Sequence, residues 1–142
     1  GAFDVIEHLD DDVEALAHMR SAVKPGGGVI LTVPQHRWLW SAVDDFSRHR
    51  RRYDRRGLTA LLTRAGFRLV WATSFMALLL PLLMLSRLRP RDQASFDPTA
   101  ELRIGDLANR TLGIVCAVER RLIHAGVRLP AGGSLIAVAR RS

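Results

Sequence analysis

Lys24-Pro25-Gly26-Gly27-Gly28-Val29-Ile30-Leu31-Thr32-Val33-Pro34-Gln35-His36 joins a helix stop, a glycine turn, a short apolar run and a polar exit. Pro25 cannot continue a helix, and glycines take positive φ without a Cβ clash. Val29 to Val33 is too short and too rich in β-branched residues for a helix. A continuous apolar run of this length suits a strand covered on both faces, as in a parallel sheet. Pro34 ends the hydrogen-bond ladder and leaves Gln35 and His36 just past the carboxyl end of the strand. In open α/β sheets that edge is where ligands bind.

On the upstream side, Asp10, Asp11 and Asp12 supply acids and an N-cap for a helix over Asp11–Val23. Leu9, Val13, Leu16, Met19 and Val23 repeat at helical spacing, and Arg20 and Lys24 stand in the last turn. Downstream, Gln35 to Arg56 has no clean period and mixes Trp38, Trp40, Phe46 and Tyr53 with His36, His49 and an arginine run. A loop that long in a compact domain is usually functional or disordered. Asp54 then caps a short helix with Leu58, Leu61, Leu62 and Ala65 on its face, closed by Gly66. Phe67–Thr73 reads as a second strand. Phe75 to Leu85 is the most apolar run, expected to be helical and kinked at Pro81. It is shorter than the roughly 18 to 20 residues that span a bilayer. Arg91 to Gly105 is polar and reads as a connector. Asp106 opens a longer helix through Leu112, Val115, Val118 and Leu122, closed near Gly126. Ser134–Ala139 reads as a last buried strand, and no internal repeat is visible.

The 142 residues carry 48% hydrophobic content, enough for a core, so the chain reads as one domain or part of one. Its net charge of +7 comes from 21 basic residues, of which Lys24 alone is lysine. So lopsided a ratio points to base-composition bias, and no nucleic-acid partner is expected from charge alone. The single cysteine, Cys116, allows no intrachain disulfide and suggests a reducing, cytoplasmic compartment. No basic segment leading into an apolar run opens the chain. Cys116 stands alone and no His-x-x-x-His pair occurs, so spacing predicts no metal site.

Phe3-Asp4-Val5-Ile6-Glu7-His8-Leu9, an acidic helix, and then Lys24-Pro25-Gly26-Gly27 before a strand ending in Val33-Pro34 resemble the Rossmann-like S-adenosylmethionine-dependent methyltransferases, in particular their small-molecule branch. His49-x-Arg51-Arg52-Tyr53, followed by Leu58-x-x-Leu61-Leu62-x-x-Ala65-Gly66-Phe67, is similar to the same family. The resemblance covers roughly residues 3 to 74, and the last strand fits the family's last strand. It implies an α/β fold: a partial Rossmann-like sheet of about three strands, with helices on both faces. Residues 75–128 would form a helical insertion between the last two strands of a single partial domain, 1–142. The family's glycine-rich loop and the acidic residue ending its second strand have no counterpart here. Gly26-Gly27-Gly28 is not that loop, since it precedes a strand and opens no helix. The chain is therefore expected to be an acceptor-side half, beginning near the family's fourth strand and binding S-adenosylmethionine poorly by itself.

Methyl transfer needs an in-line approach, so positioning supplies most of the catalysis, with a base where the acceptor is protonated. The resemblance places Asp4 and Glu7 toward the donor and His8 and His36 as candidate bases, against a role for Glu7 and His8 in bracing the next helix. Gln35 and Trp38 would contact the acceptor, or else pack a surface loop. His49, Arg51, Arg52 and Tyr53 could hold an anionic acceptor through guanidinium forks. The alternative is a solvated charge run paired with Asp44, Asp45 and Asp54. Phe75–Leu88, with the arginines that follow, reads either as an in-plane membrane contact, peripheral to the inner face, or as a buried or subunit interface. The expected function is methyl transfer to a small or lipid-linked acceptor. The alternatives are a non-catalytic membrane-associating or oligomerising remnant and, third, an RNA methyltransferase fragment.

Overall fold

A computed structural model of the chain describes residues 1–87 and 105–142. Among these, strands β1 (Ala2–Phe3), β2 (Gly28–Pro34), β3 (Phe67–Phe75) and β4 (Ser134–Arg141) form one sheet in the order β1-β2-β4-β3. β1 runs parallel to β2, and β4 lies antiparallel to both β2 and β3. The fold is α/β with a partial mixed sheet of three long strands and one short one. β2 occupies the interior position between the short strand and the C-terminal strand. The cover on both faces expected from its apolar run holds only from Leu31 onward, since Ile30 is exposed, and its long partner β4 is antiparallel.

Helix α1 (Asp12–Ala22) follows the turn after β1, and α3 (Arg55–Arg64) precedes β3. Both start as their sequences dictate. Asp11 accepts the Glu14 N–H at 2.8 Å, and Asp54 accepts the Gly57 N–H at 2.6 Å, each satisfying one of the free donors of a helix start. Gly66 closes α3 at φ +79, a conformation that residues with a Cβ rarely adopt. Val29, Leu31 and Val33 of β2 and Leu135, Ala137 and Ala139 of β4 share one sheet face with Phe67 and Ala72 of β3. They bury against Leu16 of α1 and Leu58, Leu61, Leu62 and Ala65 of α3. Gly28 is needed where β2 meets β4, because a Cβ there would collide with the Ala139 carbonyl.

The irregular segment after β2 contains a 3-10 turn (Arg37–Leu39) and a one-turn helix, α2 (Ala42–Phe46). The apolar run beginning at Phe75 differs from its expected form. β3 extends through Phe75, and α4 (Leu80–Arg87) begins only after a turn. Pro81 therefore stands in the first helical turn, where its missing N–H costs no hydrogen bond, and produces no mid-helix kink. α5 (Asp106–His124) follows, with Gly126 at φ +91 just past its end. The connector expected between Arg91 and Gly105 lies, but for Gly105, outside the described residues. No helix among the described residues is long and apolar enough to cross a membrane.

Candidate active site

Asp4 takes φ 51 where the chain leaves β1, and its N–H bonds to the Thr32 carbonyl and hydroxyl at 3.0 and 3.1 Å. This sharp exit throws Ile6–His8 into a 3-10 turn, with Ile6 in the core and Glu7 fully buried. The arginine segment is then sewn across that turn. The Arg50 N–H donates to the Glu7 carbonyl at 2.9 Å and its Nε to the His8 carbonyl at 3.0 Å. Arg51 donates to the carbonyls of Leu9 and Asp10 and bridges the Asp12 carboxylate at 3.0 Å. The Tyr53 hydroxyl donates to the same Asp12 carboxylate at 2.8 Å. Burial, with Asp12 next to it, pushes the Tyr53 pKa up.

Asp44 is the second anchor. It is fully buried, and it takes two bonds from Arg52 at 2.8 and 2.9 Å, one from His49 Nδ1 at 2.9 Å and two from Ser41. Burial acts to raise its pKa, but the bonds from Arg52 and His49 outweigh it and hold the carboxyl below its ordinary value. The result brings His49 edge-on to His8, with ring centroids 4.7 Å apart. One potential ligand atom each from Glu7, His8 and His49 lie within 4.8 Å of one another. Neither Glu7 carboxylate oxygen has a hydrogen-bond partner. Burial raises the Glu7 pKa, and the neighbouring Asp4 charge adds to the rise.

Gln35 and His36 are held differently. The Gln35 N–H bonds to the Gly133 carbonyl, and a short parallel bridge joins Gln35 to Tyr53. The Gln35 side chain is buried, with its Oε1 unpartnered. His36 takes φ 60 and stacks on Trp38 at 5.1 Å between ring centroids. Its Nε2 is also buried without a partner. Burial lowers the His36 pKa, the Asp54 charge opposes this, and Arg52 adds to the lowering.

Two concavities flank these groups. A 290 Å³ pocket opens at the carboxyl ends of β1, β2 and β3, where antiparallel β4 begins, lined by Asp4, Pro34, Ser41, His49, Arg52, Met76 and Ser134 among others. A 480 Å³ groove is lined by Arg37, Trp40, Arg50, Arg51 and Arg52. The smaller one sits at the sheet edge that open α/β folds use for ligands.

Of the residues singled out from sequence, Asp4, Glu7, His8 and His49 come together, with Asp4 and His49 on the pocket wall. Arg51, Arg52 and Tyr53 turn their polar ends to Asp12, Asp44 and main-chain carbonyls. Asp44 is one of the acids expected to pair with the run, Asp12 is not, and Arg52 is largely buried where a solvated run was the alternative. The partners are mainly Asp12 and Asp44. Trp38 is exposed and meets His36, while Trp40 lies along the groove and bonds to Asp45 at 2.9 Å. Sequence reading missed Glu119, a buried acid on α5 that accepts the N–H groups of Met76, Ala77 and Leu78 at 2.5, 2.7 and 2.8 Å. Its signal was a lone acid on the apolar side of an amphipathic helix.

A family model described as a methyltransferase domain matches residues 1–72, just over half of the chain. The chain belongs to that family. The match ends within β3, so it takes in β1, β2, both histidine-bearing segments and α3. No curated protein matches the sequence. Solved structures similar to this methyltransferase-family chain include phosphoethanolamine N-methyltransferase 2 of Haemonchus contortus in complex with S-adenosyl-L-methionine. It is 17% identical over 98% of this chain, with a TM-score of 0.49. The same enzyme with phosphomonomethylethanolamine and S-adenosylhomocysteine is also 17% identical over 98% of this chain, with a TM-score of 0.48. The chain spans about a third of those proteins' length, 32% in each.

Proposed function

We propose that this chain is the acceptor-side part of an S-adenosylmethionine-dependent methyltransferase that acts on a small or lipid-linked acceptor. The observation that carries the reading is the 290 Å³ pocket at the carboxyl edge of β1 and β2, walled by Asp4, His49 and Arg52 of the family match and by Met76 and Ser134 beyond it. The exposed Asp4 carboxylate suits the cationic part of the donor. Among the described residues no strand leads through a glycine-rich loop into a helix. When bound, the donor supplies an electrophilic methyl group on a sulfonium sulfur.

The chain's own residues would orient the acceptor in line with that methyl and take up its proton. His36 suits the second task. Burial lowers its pKa, which favours the neutral imidazole, and its Nε2 has no partner. It lies behind the residues that line the pocket, so it would reach the acceptor only after a small rotation of the ring. The test is transfer of labelled methyl from S-adenosylmethionine to amine, hydroxyl and lipid-extract acceptors by the longest reading frame containing the chain. We expect transfer, and a loss of about 10²- to 10⁴-fold in His36→Gln. Transfer to RNA alone would overturn the acceptor class, and no transfer to any acceptor would overturn the reading.

A second reading concerns the apolar surface of α4 and the turn before it, where Leu78, Leu82, Met84 and Leu85 are all exposed. We propose that this surface, with the arginines that follow it in sequence, rests on the inner face of a cytoplasmic membrane and so brings a lipid-linked acceptor within reach.

A further inference from the structure

We propose that Glu7, His8 and His49 bind a first-row divalent transition-metal ion beside the pocket. The proposal stands on the local geometry and is independent of the methyltransferase reading.

The three side chains come from two segments some forty residues apart, and the stitching of Arg50 and Arg51 across the 3-10 turn brings them together. Their ligand atoms lie within 4.8 Å of one another. Bonds of about 2.0 to 2.2 Å to a shared ion bring such atoms closer still, a change that small side-chain rotations supply. Glu7 gives the independent indication. Its carboxylate is fully enclosed, yet neither oxygen has a hydrogen-bond partner. Buried polar groups of this kind are normally paired, and a buried carboxylate normally meets a cation.

His49 is prepared in the way metal-binding imidazoles usually are. Its Nδ1 bonds to Asp44 at 2.9 Å, which leaves Nε2 as the ring nitrogen free to coordinate. Asp44 is itself fixed by Arg52 and Ser41, so the ring has little freedom to turn away. Two imidazoles and one carboxylate suit manganese, iron, cobalt or zinc, whereas magnesium and calcium prefer all-oxygen shells. With three protein ligands, the remaining coordination positions are left for water or an oxygen atom of a molecule in the pocket. An imidazole that coordinates a cation no longer accepts protons. His8 is then removed from the candidate bases, and His36 remains.

The test titrates the metal-free 142-residue chain with Co²⁺, read by visible absorption, and with Zn²⁺ by competition. We expect one ion per chain at about micromolar affinity, a Tm that rises with Co²⁺ concentration, and reversal by chelator. Glu7→Gln and His8→Asn should each weaken binding by at least about tenfold. A His18→Ala/His124→Ala double variant, which removes histidines elsewhere, should bind as the wild type does. Far-UV circular dichroism of each metal-free variant establishes folding, and His8→Asn decides the matter should Glu7→Gln fail to fold. No uptake of either ion by the wild-type chain at millimolar concentration would overturn the proposal. So would equal affinity in the wild-type chain and a folded His8→Asn chain, since the ions would then sit elsewhere.

Discussion

At Asp44, bonds from Arg52, His49 and Ser41 converge on one carboxylate that no water reaches. Removing one side of such a buried pair leaves the other charge enclosed and unpaired, which costs more than the pair itself contributes. Asp44→Ala should therefore destabilise the chain by about 3 to 5 kcal/mol in urea denaturation. The contrast is Asp10, whose bridge to Arg50 at 2.6 Å lies in the open, with the Asp10 side chain 81% exposed. Asp10→Ala should change stability by less than about 1 kcal/mol. Both residues are acids near an arginine run, and sequence offers no means of ranking them. Sequence does show that the run has acidic neighbours available. Which acid is buried follows from Ser41 starting α2 and folding its third residue inward.

Element boundaries were legible wherever a local rule sufficed. Asp11, Asp54, Gly66 and Gly126 mark helix ends because capping and positive φ are properties of a few adjacent residues. The apolar run from Phe75 was not legible in the same way, because its residues suit a strand end and a helix equally. Its division is made by Glu119 on α5, which takes the three amides of Met76, Ala77 and Leu78 and so stops β3 before α4 begins. The exposed leucines of α4 carry their own prediction. The wild-type chain should float with anionic vesicles, and Leu82→Asp should abolish flotation while leaving the far-UV spectrum unchanged. A wild-type chain that stays with the soluble fraction and dimerises through this surface would count for the subunit-interface alternative.

On the scale of the whole molecule, the C-terminal strand closes the structure. β4 pairs with β2 along seven residues and with β3 along eight, so β2 and β3 meet only through it. A chain stopped before Ser134 would expose both ladder edges and one wall of the core, including the sites of Leu135, Ala137 and Ala139. Thermal or urea unfolding of that shortened chain should show no cooperative transition. Sequence alone determined what depends on short-range patterning: the class of fold, the helix caps and the family, since apolar period, turn residues and motif order are all local. Only the tertiary structure decided what depends on residues distant in the chain. It paired Arg51 with Asp12 and Arg52 with Asp44, and it set His49 beside His8 and Glu7. Side-chain contacts between segments forty residues apart are fixed by how the loop crosses the turn, and no spacing rule encodes that crossing.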